Sequence, residues 1–246
     1  MNTAEKLTTI AENVPKVYEA GHKAGIDELR RIVTDAITDN GTRTVYSQAL
    51  QYSNWTGFEF TTTIKPNYYI NHMFYSCREM TELPKPLDFS LILSTGNDTY
   101  AYRRSVFAYC RKLKVVPDLN MRAIGGIEEW FAYCNDLHTI ELLRVNTETI
   151  YTNTFTRCDA LVNLTIDGVI GQNDFDVKHS TKLSKASITS IINALSTETN
   201  GLTITVSKTA VNNAFEINVD DPSTYPPGSE WYELRQSRSN WNVNYA

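Results

Sequence analysis

Through the middle of the chain, apolar and polar positions recur with a fixed spacing. Four segments align without gaps: Phe74-Tyr-Ser-Cys77-Arg-Glu-Met80-Thr-Glu-Leu83, Phe107-Ala-Tyr-Cys110-Arg-Lys-Leu113-Lys-Val-Val116, Phe131-Ala-Tyr-Cys134-Asn-Asp-Leu137-His-Thr-Ile140 and Phe155-Thr-Arg-Cys158-Asp-Ala-Leu161-Val-Asn-Leu164. Each reads Phe-x-x-Cys-x-x-(Leu/Met)-x-x-aliphatic. The cysteines lie 33, 24 and 24 residues apart, and the first interval holds a polar stretch, Ser94-Thr-Gly-Asn-Asp-Thr99, that reads as an inserted loop. A period of this length means supersecondary units that stack, because one unit cannot bury its own apolar face. After each cysteine the apolar residues fall at +3 and +6, and in the last two copies also at +8, at Leu142 and Ile166. That spacing predicts a short strand whose inward residues alternate with exposed ones. In the first two copies Pro84 and Pro117 follow the +6 aliphatic and shorten or end the strand, since proline cannot donate to a ladder.

The flanks follow other periods. Leu7, Ile10, Val14 and Val17 step by 3, 4 and 3, as do Ile26, Leu29, Val33 and Ala36. This spacing predicts two short helices, or one kinked at Pro15, ended by Asn40-Gly41. Helices this short dock either in an oligomer or assembly, or as a cap on the repeats. Residues 42–72 are rich in Thr and aromatics, and Phe58-Glu-Phe-Thr-Thr-Thr-Ile64 alternates at period two. They predict strands sealing the first repeat, whose sheet edge is otherwise open to pairing. After the last repeat, Ser184 can cap a helix with Ile188, Ile191, Ile192 and Leu195 on one face. A strand, Leu202-Thr-Ile-Thr-Val206, and a second helix through Ala210, Val211 and Phe215 follow. The tail, with Pro222, Pro226-Pro227 and Gly228 before Trp231, Leu234 and Trp241, folds back as a final cap or leaves its aromatics as a carbohydrate or protein anchor. How residues 168–183 join the last repeat to this end stays open.

All four cysteines of the chain stand at one register of one motif. A disulfide framework or a zinc site needs thiols converging from different directions. One cysteine per repeat instead predicts a column of small apolar side chains beside a column of Phe, with chance oxidation between neighbouring thiols as the alternative. The motif resembles the BspA-like leucine-rich repeats of surface proteins from gut and oral bacteria and of related phage and prophage proteins. The resemblance covers about residues 73–167 and implies the fold more firmly than the function, since such repeats serve adhesion, host recognition and scaffolding. The opening stretch from Thr3 to Gly21 resembles the start of many phage and prophage structural proteins. The helix-strand-helix unit near the C-terminus resembles the ends of phage-type repeat proteins.

Composition narrows the chemistry. At 246 residues, with 41% hydrophobic and 21% charged, the chain can bury a substantial core. A net charge of -5 and the absence of any run of adjacent basic residues longer than two, as at Arg103-Arg104, argue against nucleic acid. The first residues carry no apolar run, so neither a secretory signal nor a membrane span is expected there. His22, His72, His138 and His179 lie in unrelated segments with no metal spacing. No nucleophile elbow, Walker loop or dinucleotide fingerprint occurs, and Gly125-Gly126 falls in a turn between repeats. Glu128-Glu129 and Asp220-Asp221 could mimic glycosidase carboxylates or a calcium site, but adjacent acids on a loop are commonly just solvated. Asn54-Trp-Thr, Asn97-Asp-Thr and Asn163-Leu-Thr match the glycosylation sequon and carry little weight without a secretory signal.

The expected fold is α/β: a short leucine-rich-repeat-like solenoid (73–167) with an N-terminal helical segment (1–41), a β-rich cap (42–72) and a C-terminal helix-strand-helix cap (168–246). The expected function is non-enzymatic, with no catalytic residue, cofactor or metal. The outward strand positions Glu82, Val115, Thr139, Glu141, Asn163 and Thr165 would contact a host-surface protein or glycan. The chain would then be a phage or prophage tail or receptor-binding component in the virion, a homo-oligomer with a trimer as the expected form, attached to other tail proteins and not inserted in a membrane. The alternatives are a structural virion or scaffold subunit and a bacterial cell-surface adhesin.

Overall fold

The computed structural model describes residues 59–64, 71–83, 85–87, 104–121 and 125–246. The expected N-terminal helices, the loop at 94–99, most of the 42–72 segment, Pro84 and His22 lie outside the described residues. What is described is a mixed α/β chain of parallel strands and, among these residues, three α-helices. The strands are β1 (Glu59–Ile64), β2 (Lys85–Leu87), β3 (Val115–Val116), β4 (Leu119–Asn120), β5 (Thr139–Arg144), β6 (Asn163–Asp167), β7 (Phe175–Val177), β8 (Thr203–Val206) and β9 (Asn242–Tyr245). The helices are α1 (Lys185–Ala194), α2 (Lys208–Phe215) and α3 (Glu230–Gln236).

β1, expected from its period-two alternation, pairs with β2. In the next sheet β5 is central, with β6 on one side and both β3 and β4 on the other. β3 and β4 behave as one strand interrupted at Pro117-Asp118, because proline has no N–H to give. Val116 still pairs with Ile140 and Leu119 with Leu143, so the break does not shift the register. Between β5 and β6 the register does shift: Ile140 faces Leu164, but Leu143 faces Ile166. One extra residue of β5 is accommodated there as a bulge. The bulge corrects one sequence expectation. Leu142 was to point inward, yet Leu143 is the fully buried residue and Leu142 is half-buried.

Between strands the chain turns through the motif itself. The residues five and one before each cysteine adopt left-handed backbone: His72 and Ser76, Ser105 and Tyr109, Glu129 and Tyr133, Asn153 and Arg157, with φ between 55° and 62°. None is glycine, and each such residue costs about 1 kcal/mol. The conformation is held from outside by bonds between copies. Phe74 N–H donates to Val106 O (2.9 Å), Phe107 N–H to Trp130 O (3.0 Å) and Phe131 N–H to Thr154 O (3.1 Å), and the left-handed residues on either side donate in the same way. In the first three turns every alternate N–H is thereby satisfied by the following copy.

These bonds bring equivalent residues into columns. Phe74, Phe107, Phe131 and Phe155 stack with ring centroids 5.3, 5.8 and 6.2 Å apart and planes within 17° of parallel. All four cysteines are buried and unpaired by disulfide. Each of the last three donates its thiol to the carbonyl of a Phe in the copy before: Cys110 to Phe74, Cys134 to Phe107 and Cys158 to Phe131, at 3.1–3.2 Å. Met80, Leu113, Leu137 and Leu161 form a third fully buried column.

The segment that the sequence left open continues the pattern. Val177-Lys-His-Ser180-Thr-Lys-Leu183 repeats the turn's hydrogen bonds without its left-handed residues: Ser180 N–H donates to Val177 O and Leu183 N–H to Ser180 O, as Cys158 and Leu161 do one copy earlier. Val takes the place of Phe and Ser that of Cys, and the Ser180 hydroxyl, fully buried, donates to Cys158 O (3.2 Å).

Of the C-terminal elements, α1, β8 and α2 fall where the sequence predicts them, while β7, α3 and β9 were not expected. Ser184 caps α1 by accepting from Ser187 N–H, and Ile188, Ile191, Ile192 and Leu195 are buried. β8 runs parallel between β7 and β9, and α2 is capped by Ser207. The tail folds back: Trp231 and Trp241 are 1% and 5% exposed, their indole N–H groups donating to Tyr245 Oη (3.2 Å) and Ser196 O (2.9 Å). Indoles spent this way cannot anchor a ligand, which removes that alternative for the two tryptophans.

Candidate functional site

Two surfaces deserve comparison, one built by the strands after each cysteine and one by the turns before it. On the strand side, isolated pairing links Glu82 to Val115, and the ladder continues through Thr139 to Asn163. These four expected residues therefore form one row, one residue per copy. Glu82, Val115 and Asn163 are exposed and Thr139 is half-buried, accepting from Asn163 Nδ2 at 3.3 Å. His138 Nδ1 lies 3.0 Å from the same Thr139 hydroxyl. Val115, at 39%, is one of the few large hydrophobic residues left exposed among the described residues. Glu141 and Thr165 are also exposed and sit together at the bulge, a second position on the same face. At the far end of these strands Arg144 bridges Asp118 (2.7 Å) and Asp167 (3.0 Å), one cation shared by two carboxylates.

On the turn side lies a groove of about 440 Å3 that the sequence reading missed. Its floor is Ala108, Ala132 and Thr156, the residues that directly follow Phe in successive copies. One wall is a row of tyrosines: Tyr75 and Tyr109 with centroids 5.2 Å apart, then Tyr109 and Tyr133, 4.5 Å apart and 5° from parallel. The other wall carries His72, Ser105, Glu129 and Asn153, the left-handed residue of four consecutive copies. Left-handed backbone at both flanking positions aims the two rows of side chains away from the core, and the small residues between them leave the space. The sequence signal was present in Tyr109 and Tyr133, one residue before their cysteines. Ser76 and Arg157 at the equivalent positions broke it, and Tyr75 joins the row from a neighbouring position.

The electrostatics of this wall are set by Glu129. Its carboxylate accepts from the Ser105 hydroxyl (2.7 Å) and from Arg104 Nη2 (3.4 Å), while Glu128 lies 3.8 Å from Arg104 Nε. The paired acids are thus one arginine-bridged cluster. Burial holds the His72 imidazole below its ordinary value, Glu129 opposing that shift and Arg104 adding to it.

The remaining candidate groups are placed as follows. Burial pushes the Cys110, Cys134 and Cys158 thiols well above their ordinary value, which keeps them protonated and poor nucleophiles. Asp220 pairs with Lys208, and Asp221 caps a short turn at Pro222–Thr224 through Ser223, whose hydrogen bonds hold its carboxyl below the usual range. Among the described residues, no three His, Cys, Asp or Glu side chains gather closely enough to hold a metal ion, and no helix is long and apolar enough to cross a membrane. No family model, curated protein or solved structure matches the chain.

Proposed function

We propose that the chain is a non-enzymatic recognition protein, a short leucine-rich-repeat-type solenoid that presents its strand face to a protein or glycan on a host cell. The observation that carries this reading is the row Glu82, Val115, Thr139 and Asn163, aligned by parallel pairing at one residue per copy. The Phe, Cys and Leu columns occupy the buried positions, so the outward row is free to change without disturbing the core. Buried, protonated thiols and salt-bridged acids give no support to a catalytic role. The resemblance of the N-terminal stretch to phage and prophage structural proteins supports attachment to a tail, as an oligomer within a virion.

The test is a triple variant, Val115→Lys, Thr139→Lys and Asn163→Lys, compared with the parent chain for binding to intact candidate host cells. The expected result is binding lost at an unchanged melting temperature. Equal binding by the variant rejects the strand face. Absence of binding by the parent, together with its incorporation into purified particles, favours the structural virion subunit instead.

A further inference from the structure

The turn-side groove does not depend on the strand-face reading, and its geometry narrows what could fill it. It is polar on one wall and aromatic on the other, and both walls advance in step with the chain. The tyrosine centroids step by 5.2 and 4.5 Å, close to the spacing of about 4.8 Å between paired strands. An extended peptide repeats its side chains on one face only every two residues, about 6.7 Å, so it runs out of phase with these rings. Nucleic acid brings a phosphate backbone against a wall that carries Glu129, and that wall offers no cluster of cations to neutralise it. A linear sugar chain advances by about one copy per pyranose unit, and its units alternate apolar C–H faces with hydroxyls. Such ligands are held by aromatic surface plus a few fixed polar groups.

The fixed groups are present. Ser105 and Arg104 hold the Glu129 carboxylate in one orientation, and a carboxylate has about four acceptor positions, so acceptor capacity is left for a sugar hydroxyl. Asn153 follows in the next copy with an amide that can donate and accept. Neither group needs to move to meet a ligand, because each stands on backbone locked by bonds between copies.

We propose that this groove binds a linear, uncharged oligosaccharide along the stacking direction, one sugar per copy, with its C–H groups along the ring edges of Tyr75, Tyr109 and Tyr133 and its hydroxyls on Glu129 and Asn153. The experiment is titration calorimetry of the full chain with cellotetraose, chitotetraose, mannotetraose and maltotetraose, each beside its monosaccharide. At least one tetrasaccharide binds, at least about tenfold tighter than its monosaccharide. Tyr133→Ala and Glu129→Gln each weaken that binding by about fivefold or more, the size expected for one aromatic or one charged hydrogen-bond contact. The strand-face triple variant leaves it unchanged. The proposal is overturned if none of the four binds at millimolar concentration, or if both groove variants bind as the parent does. It is equally overturned if the strand-face variant abolishes binding. Glu129→Gln preserves size and the Ser105 contact, so it decides the matter should Tyr133→Ala lose the fold.

Discussion

Cys158 sits directly beside Phe131 of the preceding copy and donates its thiol hydrogen to that residue's carbonyl at 3.2 Å. The same bond joins Cys134 to Phe107 and Cys110 to Phe74. Cysteine is therefore more than a small apolar filler here: its thiol gives a second donor to a Phe carbonyl that also accepts the cysteine N–H of its own copy. Cys134→Val keeps the volume and loses the thiol donor, leaving Phe107 O with the Cys110 N–H alone (3.2 Å), at a cost of about 1 kcal/mol. Cys134→Ser keeps a donor and is expected to lose less. Denaturant unfolding of the two variants checks the order, and a more stable Val variant would show that the thiol acts by volume alone.

These thiols also set a pH dependence. An unfolded thiol ionises near pH 8.5, whereas burial raises Cys110, Cys134 and Cys158 well above their ordinary value. The folded chain keeps protons that the unfolded chain releases, so stability is full below about pH 8.5 and falls as pH rises toward the folded values. The expected loss is on the order of 1 kcal/mol per pH unit for each thiol. Denaturation midpoints at pH 7.5 and 10 for the parent and for Cys134→Val measure it. The variant loses less on going to pH 10, and equal losses count against the assignment.

Helix α1 ends the sheet by an unusual route. Leu164 N–H donates to Ser187 Oγ (2.8 Å) and Ile166 N–H to Ser190 Oγ (2.9 Å), so hydroxyls of the helix accept from the free edge of β6 where a further strand would otherwise pair. The double variant Ser187→Ala and Ser190→Ala removes both acceptors. It is expected to lower stability by about 2–4 kcal/mol, two unsatisfied donors at the usual penalty, and to raise the tendency to aggregate through the bared edge. Chemical denaturation and light scattering read the two effects, and an unchanged midpoint would refute the role.

Gly168 ends β6 at φ 126°, where a Cβ would lie 2.1 Å from the Val145 carbonyl oxygen. That oxygen belongs to backbone, so it cannot swing aside. Gly168→Ala is expected to cost about 3 kcal/mol or more, whereas Gly201→Ala, with open space around it but φ 80°, costs only the left-handed strain of about 1 kcal/mol. Thermal unfolding of the pair tests the difference.

Phe131 has a Phe on each side of it in the column, with Phe107 at 5.8 Å and Phe155 at 6.2 Å. Phe131→Ala opens a cavity in the middle of the stack and is expected to lose about 3–5 kcal/mol. Phe131→Leu refills most of the volume, so its loss is smaller. Unfolding curves that place the two variants together would mean the ring itself contributes little.

Much of this was legible in the residues. Four copies of Phe-x-x-Cys-x-x-Leu announce columns because identical residues at a fixed period must meet identical environments, and Ser184 with four spaced aliphatic residues announces α1. The fifth turn was illegible because Val177 and Ser180 replace the two residues that mark the motif. The bulge was illegible because Leu142 and Leu143 are chemically identical, and only pairing against β6 selects which one turns inward. The groove was illegible because a left-handed backbone at Tyr109, Glu129 or Tyr133 contradicts local preference and exists only while neighbouring copies hold it.

Read alone, the sequence determined which side chains repeat, and hence which must be buried, since a repeating apolar position has nowhere else to go. Only the tertiary structure decided where the remaining side chains point. Bonds between copies fix the turn conformations, and those conformations bring Tyr109 onto Tyr133 and set Glu129 across from them.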